Sequence, residues 1–317
     1  MAATSEEAAV TPVSLRASGA NRRRLVVQTI FKLLFGGAAL STVGVTILVV
    51  LSLLLPSIRF FQEVSVAEFF GSTRWTPLFN PPSFGVWPIV AGTLWIMVIS
   101  LVVAIPLGLG LAVYLSEYAH RRVRAVLKPF LEILAGIPTV VLGFFGLFLV
   151  NPEFVRRFWP IGEVSTFSGL AAGLVVGVMI IPTVASLSED AMTAVPRGLR
   201  EGGMALGGTR REVATKVVFP AALSGIVAAV VLAGSRAIGE TTIVLLVAGS
   251  RPTLTWNPGE QLQSMASFIG FAGIGDQPTG SIGYHTIFAV GLLLFVITLL
   301  LNILSIRIVR RFREIYE

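Results

Sequence analysis

The chain has 317 residues, of which 54% are hydrophobic and only 13% are charged. A soluble globular domain carries roughly 25% charged residues, so this composition excludes an ordinary soluble protein and predicts a membrane protein. No cysteine is present, which excludes disulfides, thiolate metal sites and cysteine nucleophiles. The two histidines, His120 and His285, are too few and too scattered to indicate a metal site.

Residues 1–30 are predicted to form a disordered basic cytoplasmic tail, ahead of a transmembrane domain over residues 31–317. The tail begins MAATSEEAAVTPVSLRASGANRRR, which is small and polar and shows no apolar period. The apolar segment that follows is longer than the core of a signal peptide, and no small-residue cleavage site follows it. It therefore predicts a retained helix.

Six apolar segments are predicted to cross the membrane, because a hydrocarbon core of about 30 Å takes roughly 20 residues. They cover residues 33–56, 86–115, 133–150, 164–187, 217–250 and 281–306. Only the fifth segment is interrupted by charge, at Arg236 and Glu240. The prolines Pro106, Pro138 and Pro182 are expected to kink their helices, either as fixed features of the packing or as hinges of a gate.

Two longer segments are predicted to lie outside the membrane. Residues 57–85 are rich in proline and aromatic residues, which favours an interfacial loop over a folded domain. Residues 251–280 are rich in glycine and proline but include EQLQSMASFIGF, which predicts a short helix at the membrane surface.

The loops on the two sides of the membrane differ in charge. When alternate loops are assigned to opposite sides, most basic residues fall on the side of the amino terminus. The other side holds only Arg59, Arg74, Arg156, Arg157 and Arg251. By the positive-inside rule both termini are predicted to be cytoplasmic. The net charge of +7 then reflects topology and attraction to anionic lipid, and no nucleic-acid partner is expected.

The loop over about residues 190–220 is too polar to span the membrane. AVPRGLREGGMAL predicts a short helix, glycines 207 and 208 predict a break, and TRREVATKVVFP predicts a second helix capped by Thr209. Two short helices at a glycine turn predict a protruding knob, which suits insertion into a groove on a partner protein. The alternative is an amphipathic connector that only carries positive-inside charge.

This loop resembles one that membrane subunits of ABC importers carry, with the pattern E-A-A, three residues, G, nine residues, I-x-L-P. The matching positions are Glu201, Gly202, Gly203, Gly207 and Pro220, with glycines in place of both alanines and with valine and phenylalanine in place of isoleucine and leucine. The resemblance implies that the loop docks on a cytoplasmic ATPase subunit. No Walker A pattern occurs in this chain, so ATP and magnesium are expected to be used by that partner, with no cofactor here.

Further motifs narrow the resemblance. GIPTVVLGFFGLF, IIPTVASLSEDAM, SRAIGET, GYHTIFAVGLLLF and VRRFREIYE resemble the C-type permease of phosphate-specific (Pst-type) importers. The resemblance implies an all-α polytopic protein with the ABC type I importer permease fold, in the bacterial inner membrane and without enzymatic activity of its own. It also implies three kinds of partner: an A-type sister permease, two copies of the ATPase subunit and an extracytoplasmic phosphate-binding protein.

Arg236 and Glu240 are the predicted centre of the substrate path. An arginine in the bilayer costs at least about 2.5 to 3.5 kcal/mol, so it needs a partner or a water-filled path. Glu240 is expected one helical turn away on the same face, where the two charges neutralise each other. A guanidinium matches two phosphate oxygens, so phosphate would compete with Glu240, whose carboxylate could accept the proton that phosphate retains. Ser235 and Thr241 are expected to add hydroxyl groups.

Other interpretations of the same residues remain open. The pair could be a buried structural clasp that only fixes the helix. The chain could import another oxyanion, such as molybdate or sulfate. A membrane hydrolase using the pair catalytically lacks a recognisable nucleophile and base. An ion-driven secondary transporter would need no ATPase, which the docking loop argues against.

Overall fold

The computed structural model describes residues 19–160 and 162–312, which are helices with two longer connections at 72–86 and 248–264. The first half contains α1 (Gly19–Glu63), α2 (Val66–Gly71), α3 (Trp87–Val113), α4 (Arg121–Ala135), α5 (Thr139–Phe145), α6 (Arg156–Phe158) and α7 (Gly169–Thr193). The second contains α8 (Arg197–Ala205), α9 (Arg210–Val213), α10 (Phe219–Ala221), α11 (Leu223–Ile238), α12 (Thr242–Val247), α13 (Met265–Ile274) and α14 (Ile282–Phe312). π-helical turns at Tyr114–Tyr118, Gly146–Val155 and Ala214–Val218 continue α3, α5 and α9.

The prediction of an all-α chain with about six spans is confirmed. In the described ranges, five helices are long and apolar enough to cross a membrane, and a sixth span is a pair of helical segments bent by 71°. That pair is Arg210–Ala221 and Leu223–Ile238. The predicted third span begins at Thr139 rather than residue 133, because Gly136 and Pro138 separate α4 from α5.

Helix α1 begins earlier than the predicted tail boundary at residue 30. It runs from Gly19, because no proline lies between Gly19 and Ile30 and the arginines there are good helix formers. The predicted disorder of residues 1–18 lies outside the described residues. The chain divides into two compact units between Ser52 and Leu53, and the second unit contains every element discussed below.

Helix α7 is the central helix of the second unit, and most of its side chains are buried. Its glycines allow α3 to approach closely: a Cβ atom at Gly173 would lie 2.7 Å from Cβ of Ile99, and one at Gly177 would lie 2.9 Å from Cβ of Val103. Ser100 of α3 donates a hydrogen bond to the carbonyl oxygen of Gly173 at 3.0 Å. Small residues thus bring the two backbones together, as they do in many membrane helix pairs.

The segment predicted as a short helix at the membrane surface packs with one face on the core of the second unit. Helix α13 forms where expected, but Met265, Phe268 and Ala272 on it are buried. Phe268 packs edge-to-face on Trp75, with ring centroids 5.0 Å apart. An apolar ten-residue helix fits a protein interior as well as a membrane surface, and the position of α13 relative to the membrane stays a prediction.

Candidate functional site

The helix that carries Arg236 stops two residues after it. Helix α11 ends at Ile238, and the amide of Gly239 then donates to the carbonyl oxygen of Ser235 at 3.3 Å. A new short helix, α12, begins at Thr242. Glu240 lies between the two helices, and its Oε1 accepts a hydrogen bond from the amide of Ile243 at 3.0 Å. The glutamate therefore satisfies one of the free amides at the start of α12.

The expected ion pair between Arg236 and Glu240 does not form, so this prediction was wrong. Among the described residues, the carboxylate–cation pairs within 4.0 Å do not include these two side chains. Spacing of four residues puts side chains on one face only while the helix continues. Here the helix has ended before Glu240.

Arg236 is held by a hydroxyl group instead of a carboxylate. Its Nη1 donates to Oγ1 of Thr183 on α7 at 3.3 Å, and the side chain is exposed. Ser235 donates from Oγ to Oδ1 of Asn302 on α14 at 3.0 Å. Thr241 turns back and donates to the carbonyl oxygen of Gly239 at 3.2 Å. The break is thus connected to α7 and α14 by polar contacts, and it leaves the guanidinium charge without a carboxylate partner in the described part of the chain.

Two of the residues at this break were not singled out from the sequence. Thr183 and Asn302 lie 53 and 67 residues from their partners, and hydroxyl and amide side chains in apolar helices are common. Pro182, predicted as a kink, lies inside α7 directly before Thr183. Pro138 does not bend a helix but precedes the first residue of α5.

A second polar cluster joins α4 to α7. Glu189 is fully buried and pairs with Arg124 and with Lys128, whose Nζ lies 2.9 Å from Oε2 of Glu189. The Nζ of Lys128 also lies 2.9 Å from Oδ1 of Asp190, and Arg124 donates to Oγ1 of Thr193 at 3.3 Å. The hydrogen bond to Glu189, with the one to Asp190, raises the pKa of Lys128 above its ordinary value. All four charges of this cluster are therefore compensated within the chain.

A cavity of about 200 Å³ lies between these two polar regions. Its lining consists of Leu115, Lys128, Leu131, Glu132, Ala135, Pro182, Thr183, Ser186 and Glu189. Thr183 connects the cavity to Arg236, and Lys128 and Glu189 connect it to the α4–α7 cluster. The cavity thus links the helix break to the polar end of α7.

The loop between α7 and α11 has the predicted two-helix form. Helix α8 ends at Ala205, Gly207 has a φ of +84°, and Thr209 caps α9 with a reciprocal pair of hydrogen bonds to Glu212. A positive φ strains any residue with a side chain, which explains glycine at this turn. At its tip, the side chain of Leu206 is 92% exposed. The knob therefore presents an apolar surface that is uncovered in this chain.

Arg200 fixes the base of this knob. It donates from Nη1 to the carbonyl oxygen of Val195 and from Nη2 to that of Met192, both at 2.6 Å. The same guanidinium pairs with Glu117 at 3.1 Å. The sequence offered only a basic residue next to Glu201, so this role was missed. Through Arg200, α8 is joined both to the end of α7 and to the π-helical turn that follows α3.

A multi-span helical chain with a polar break in one span and a protruding two-helix loop is the arrangement of a membrane-embedded transport subunit. Comparison with known proteins defines the family. A profile of the binding-protein-dependent transport system inner membrane component family matches residues 104–314. The chain belongs to this family.

Several relatives cover nearly the whole chain. It is 34% identical to a probable ABC transporter permease protein, YqgH, of Bacillus subtilis, over 92% of this chain and 94% of that one. It is also 34% identical to the phosphate transport system permease protein PstC 2 of Mycobacterium tuberculosis, over 87% and 89% of the two chains. Among solved structures, the MetNI methionine ABC transporter in an inward-facing conformation matches with a TM-score of 0.52 and 25% identity, over 73% of this chain and 95% of that one.

Proposed function

We propose that the chain is one permease subunit of an ATP-driven importer of inorganic phosphate, forming half of a pore across a bacterial plasma membrane. Relatives named as phosphate transport permeases match most of its length, including PstC 2 of Mycobacterium tuberculosis and PstC of Haemophilus influenzae. The observation that carries the proposal is the exposed guanidinium of Arg236, held by Thr183 with no carboxylate partner among the described residues.

Arg236 is the proposed phosphate-binding group. A guanidinium presents a planar set of donors that can bind two oxygens of one oxyanion. Glu240 is held by the amide of Ile243, so phosphate does not have to displace it to reach Arg236. This arrangement is a better anion site than the closed pair expected from the sequence. A single arginine also keeps the affinity modest, and transport requires that the ion can leave.

Glu240 is the proposed discriminator between phosphate and sulfate. Phosphate keeps at least one proton near neutral pH, and a carboxylate can accept a hydrogen bond from it, whereas sulfate has no such proton. Glu240 is half-buried and Oε1 is engaged by the backbone, which leaves its second oxygen for this contact. Ser235 and Thr241 lie beside the site, and their bonds to Asn302 and Gly239 orient the break rather than the ion.

The knob is the proposed contact with the ATPase. Glu201 and Leu206 are exposed on it, and the spacing from Glu201 to Pro220 matches the loop of ABC importers. The proposed complex contains an A-type sister permease, two ATPase subunits that use ATP and magnesium, and an extracytoplasmic phosphate-binding protein. Both termini are proposed to be cytoplasmic, which also places the knob on the ATPase side. Differential binding in the inward- and outward-open states then drives transport.

The test is ATP-dependent uptake of labelled phosphate into vesicles that contain the full complex. Arg236→Gln is expected to reduce uptake at least about 100-fold, because one charge-assisted bidentate contact contributes roughly 3 kcal/mol. Assembly of the complex is expected to be unchanged. Arg157→Gln is the matched control, since Arg157 is an exposed arginine that lies over the ring of Phe158, away from the break.

The competing substrates decide the identity of the ion. Unlabelled phosphate should abolish the signal, and equal concentrations of sulfate or molybdate should not. Stronger competition by sulfate or molybdate would assign the importer to that oxyanion. Full phosphate uptake by the Arg236→Gln variant in a correctly assembled complex would show that Arg236 does not lie on the phosphate path.

A further inference from the structure

Helix α7 carries a stripe of polar side chains that begins at the partner of Arg236. Thr183, Ser186, Glu189 and Thr193 follow one another at spacings of three, three and four residues. Those spacings place side chains on one helix face. From Thr183 to Glu189 the helix rises about 9 Å, at about 1.5 Å per residue. The stripe therefore leads from the helix break toward the end of α7 that joins the knob.

The cavity between α4 and α7 follows this stripe. Thr183, Ser186 and Glu189 line its α7 side, and Lys128 lines its α4 side. At about 200 Å³ it has room for a tetrahedral oxyanion and several water molecules. The polar side chains on its α7 side therefore extend the path from Arg236 along one helix, past apolar side chains such as Leu115 and Leu131.

The charges along this cavity suit an anion in transit better than one at rest, because the lining also holds the carboxylate of Glu132, which repels an anion. Lys128 is compensated by Glu189 and Asp190, so it does not hold a permanent anion. Yet its side chain remains 33% exposed, and it can exchange the exposed carboxylate of Asp190 for a phosphate oxygen. Glu189 keeps Arg124 as its partner during that exchange. A site in which a carboxylate and the substrate compete for one ammonium group releases its ion readily.

We propose that this cavity is the exit site of the permease, in which Lys128 binds the phosphate released from Arg236 before it reaches the cytoplasm. The proposal rests on the proposed function, since the ligand is its substrate. Ser186 and Thr183 supply hydroxyl groups along the way. Asp190 closes the site again by returning to Lys128.

The natural absence of cysteine from this chain allows a direct test. Ser186→Cys places a thiol in the cavity, and its reaction with neutral iodoacetamide is followed by the mass of this chain in the purified nucleotide-free complex. Inorganic phosphate is expected to slow the reaction at least about fivefold, because a bound ion excludes the reagent. Ser224→Cys is the matched control: it lines a different cavity, with Ala191 and Gly225, and phosphate should not protect it.

Lys128 provides the second arm of the experiment. In the Ser186→Cys background, Lys128→Gln should raise the phosphate concentration needed for protection at least about tenfold, and Lys128→Arg should leave it within about threefold, because charge is the property that matters. If the Lys128→Gln complex does not assemble, protection of the Ser186→Cys thiol by phosphate is by itself the test of the exit site.

The outcomes separate this inference from the proposed function. Equal reactivity with and without phosphate, in a complex that imports phosphate, overturns the exit site and leaves the importer intact. Protection that needs no added phosphate and disappears when lipid is removed assigns the cavity to a lipid phosphate group and also overturns the proposal. Failure of a complex to import phosphate at all contradicts the proposed function itself.

Discussion

Arg236 at the α11–α12 break and Arg124 on α4 both reach helix α7, but they meet different partners there. Arg236 meets the hydroxyl group of Thr183, whereas Arg124 meets the buried carboxylate of Glu189. A buried charge that is compensated inside the chain serves structure, because its removal leaves the opposite charge alone. A charge that is not compensated inside the chain is available to a ligand. The two arginines thus separate the structural pairing of Arg124 with Glu189 from the proposed phosphate site at Arg236.

The largest expected effect is the loss of stability when the buried carboxylate of Glu189 is removed. Glu189→Ala leaves Arg124 and Lys128 without their shared buried partner and is expected to cost about 3 kcal/mol of stability. The measurement is thermal unfolding of the purified complex. Asp190→Asn is the control, since Asp190 is 57% exposed and its loss should cost less than about 1 kcal/mol. Equal effects of the two changes would show that burial of Glu189 does not matter.

A second compensated arginine, Arg200, extends the comparison to the knob. Arg200→Ala removes its bonds to Glu117, Met192 and Val195 and is expected to cost about 2 kcal/mol locally. Because these bonds join the knob to α7, phosphate imported per ATP hydrolysed should fall at least about fivefold. The control is Arg197→Ala, at an exposed arginine of the same helix. An unchanged ratio in Arg200→Ala would exclude this joint from coupling.

Substitutions of Glu240 test the proposed binding site, and they are expected to change stability less than the substitutions above. Glu240→Ala loses the hydrogen bond that Oε1 accepts from the amide of Ile243 and is expected to destabilise by about 1 kcal/mol. Glu240→Gln keeps an acceptor oxygen for the amide of Ile243 and should change stability by less than about 0.5 kcal/mol. Both changes should reduce the preference for phosphate over sulfate in uptake competition. Retained preference in both would place selectivity in the external binding protein.

The smallest expected change in stability comes from an uncharged substitution in the knob, which should leave the helix break and the α4–α7 cluster intact. A Cβ atom at Gly202 meets nothing within 4 Å, so Gly202→Ala should stabilise α8 by about 0.5 to 1 kcal/mol without loss of uptake. Gly207→Ala should act in the opposite direction, because φ is +84° there. Thermal unfolding measures both. Destabilisation by Gly202→Ala would mean that the glycine is needed for a contact with a partner.

Features determined by local residues were predictable from the sequence. Apolar length predicted the spans, and the glycine turn with Thr209 predicted the knob, because both depend on a few adjacent residues. The break after Ile238 was also signalled, by a glycine followed by capping residues at Glu240 and Thr241, but the four-residue spacing was interpreted as a continuous helix. A glycine at a helix end would have been the better guide.

Contacts between distant segments were not predictable in this way. Thr183 and Asn302 belong to the site because helix packing brings them to partners that lie 53 and 67 positions away in the sequence. Arg124 and Lys128 were interpreted only as positive-inside charge, although SLSEDAM supplied the carboxylates that pair with them. A single sequence shows which charges exist but not which of them meet.

The most direct test of an unpaired guanidinium at Arg236 is a pair of double-mutant cycles on the stability of the purified complex in phosphate-free buffer. One cycle combines Arg236→Gln with Glu240→Gln, and the other combines Lys128→Gln with Glu189→Gln. The coupling energy is expected to lie within about 0.5 kcal/mol of zero for the first pair and to reach about 1.5 kcal/mol or more for the second. A large coupling between Arg236 and Glu240 would mean that the two neutralise each other after all, and Arg236 would then not be the free cation that binds phosphate.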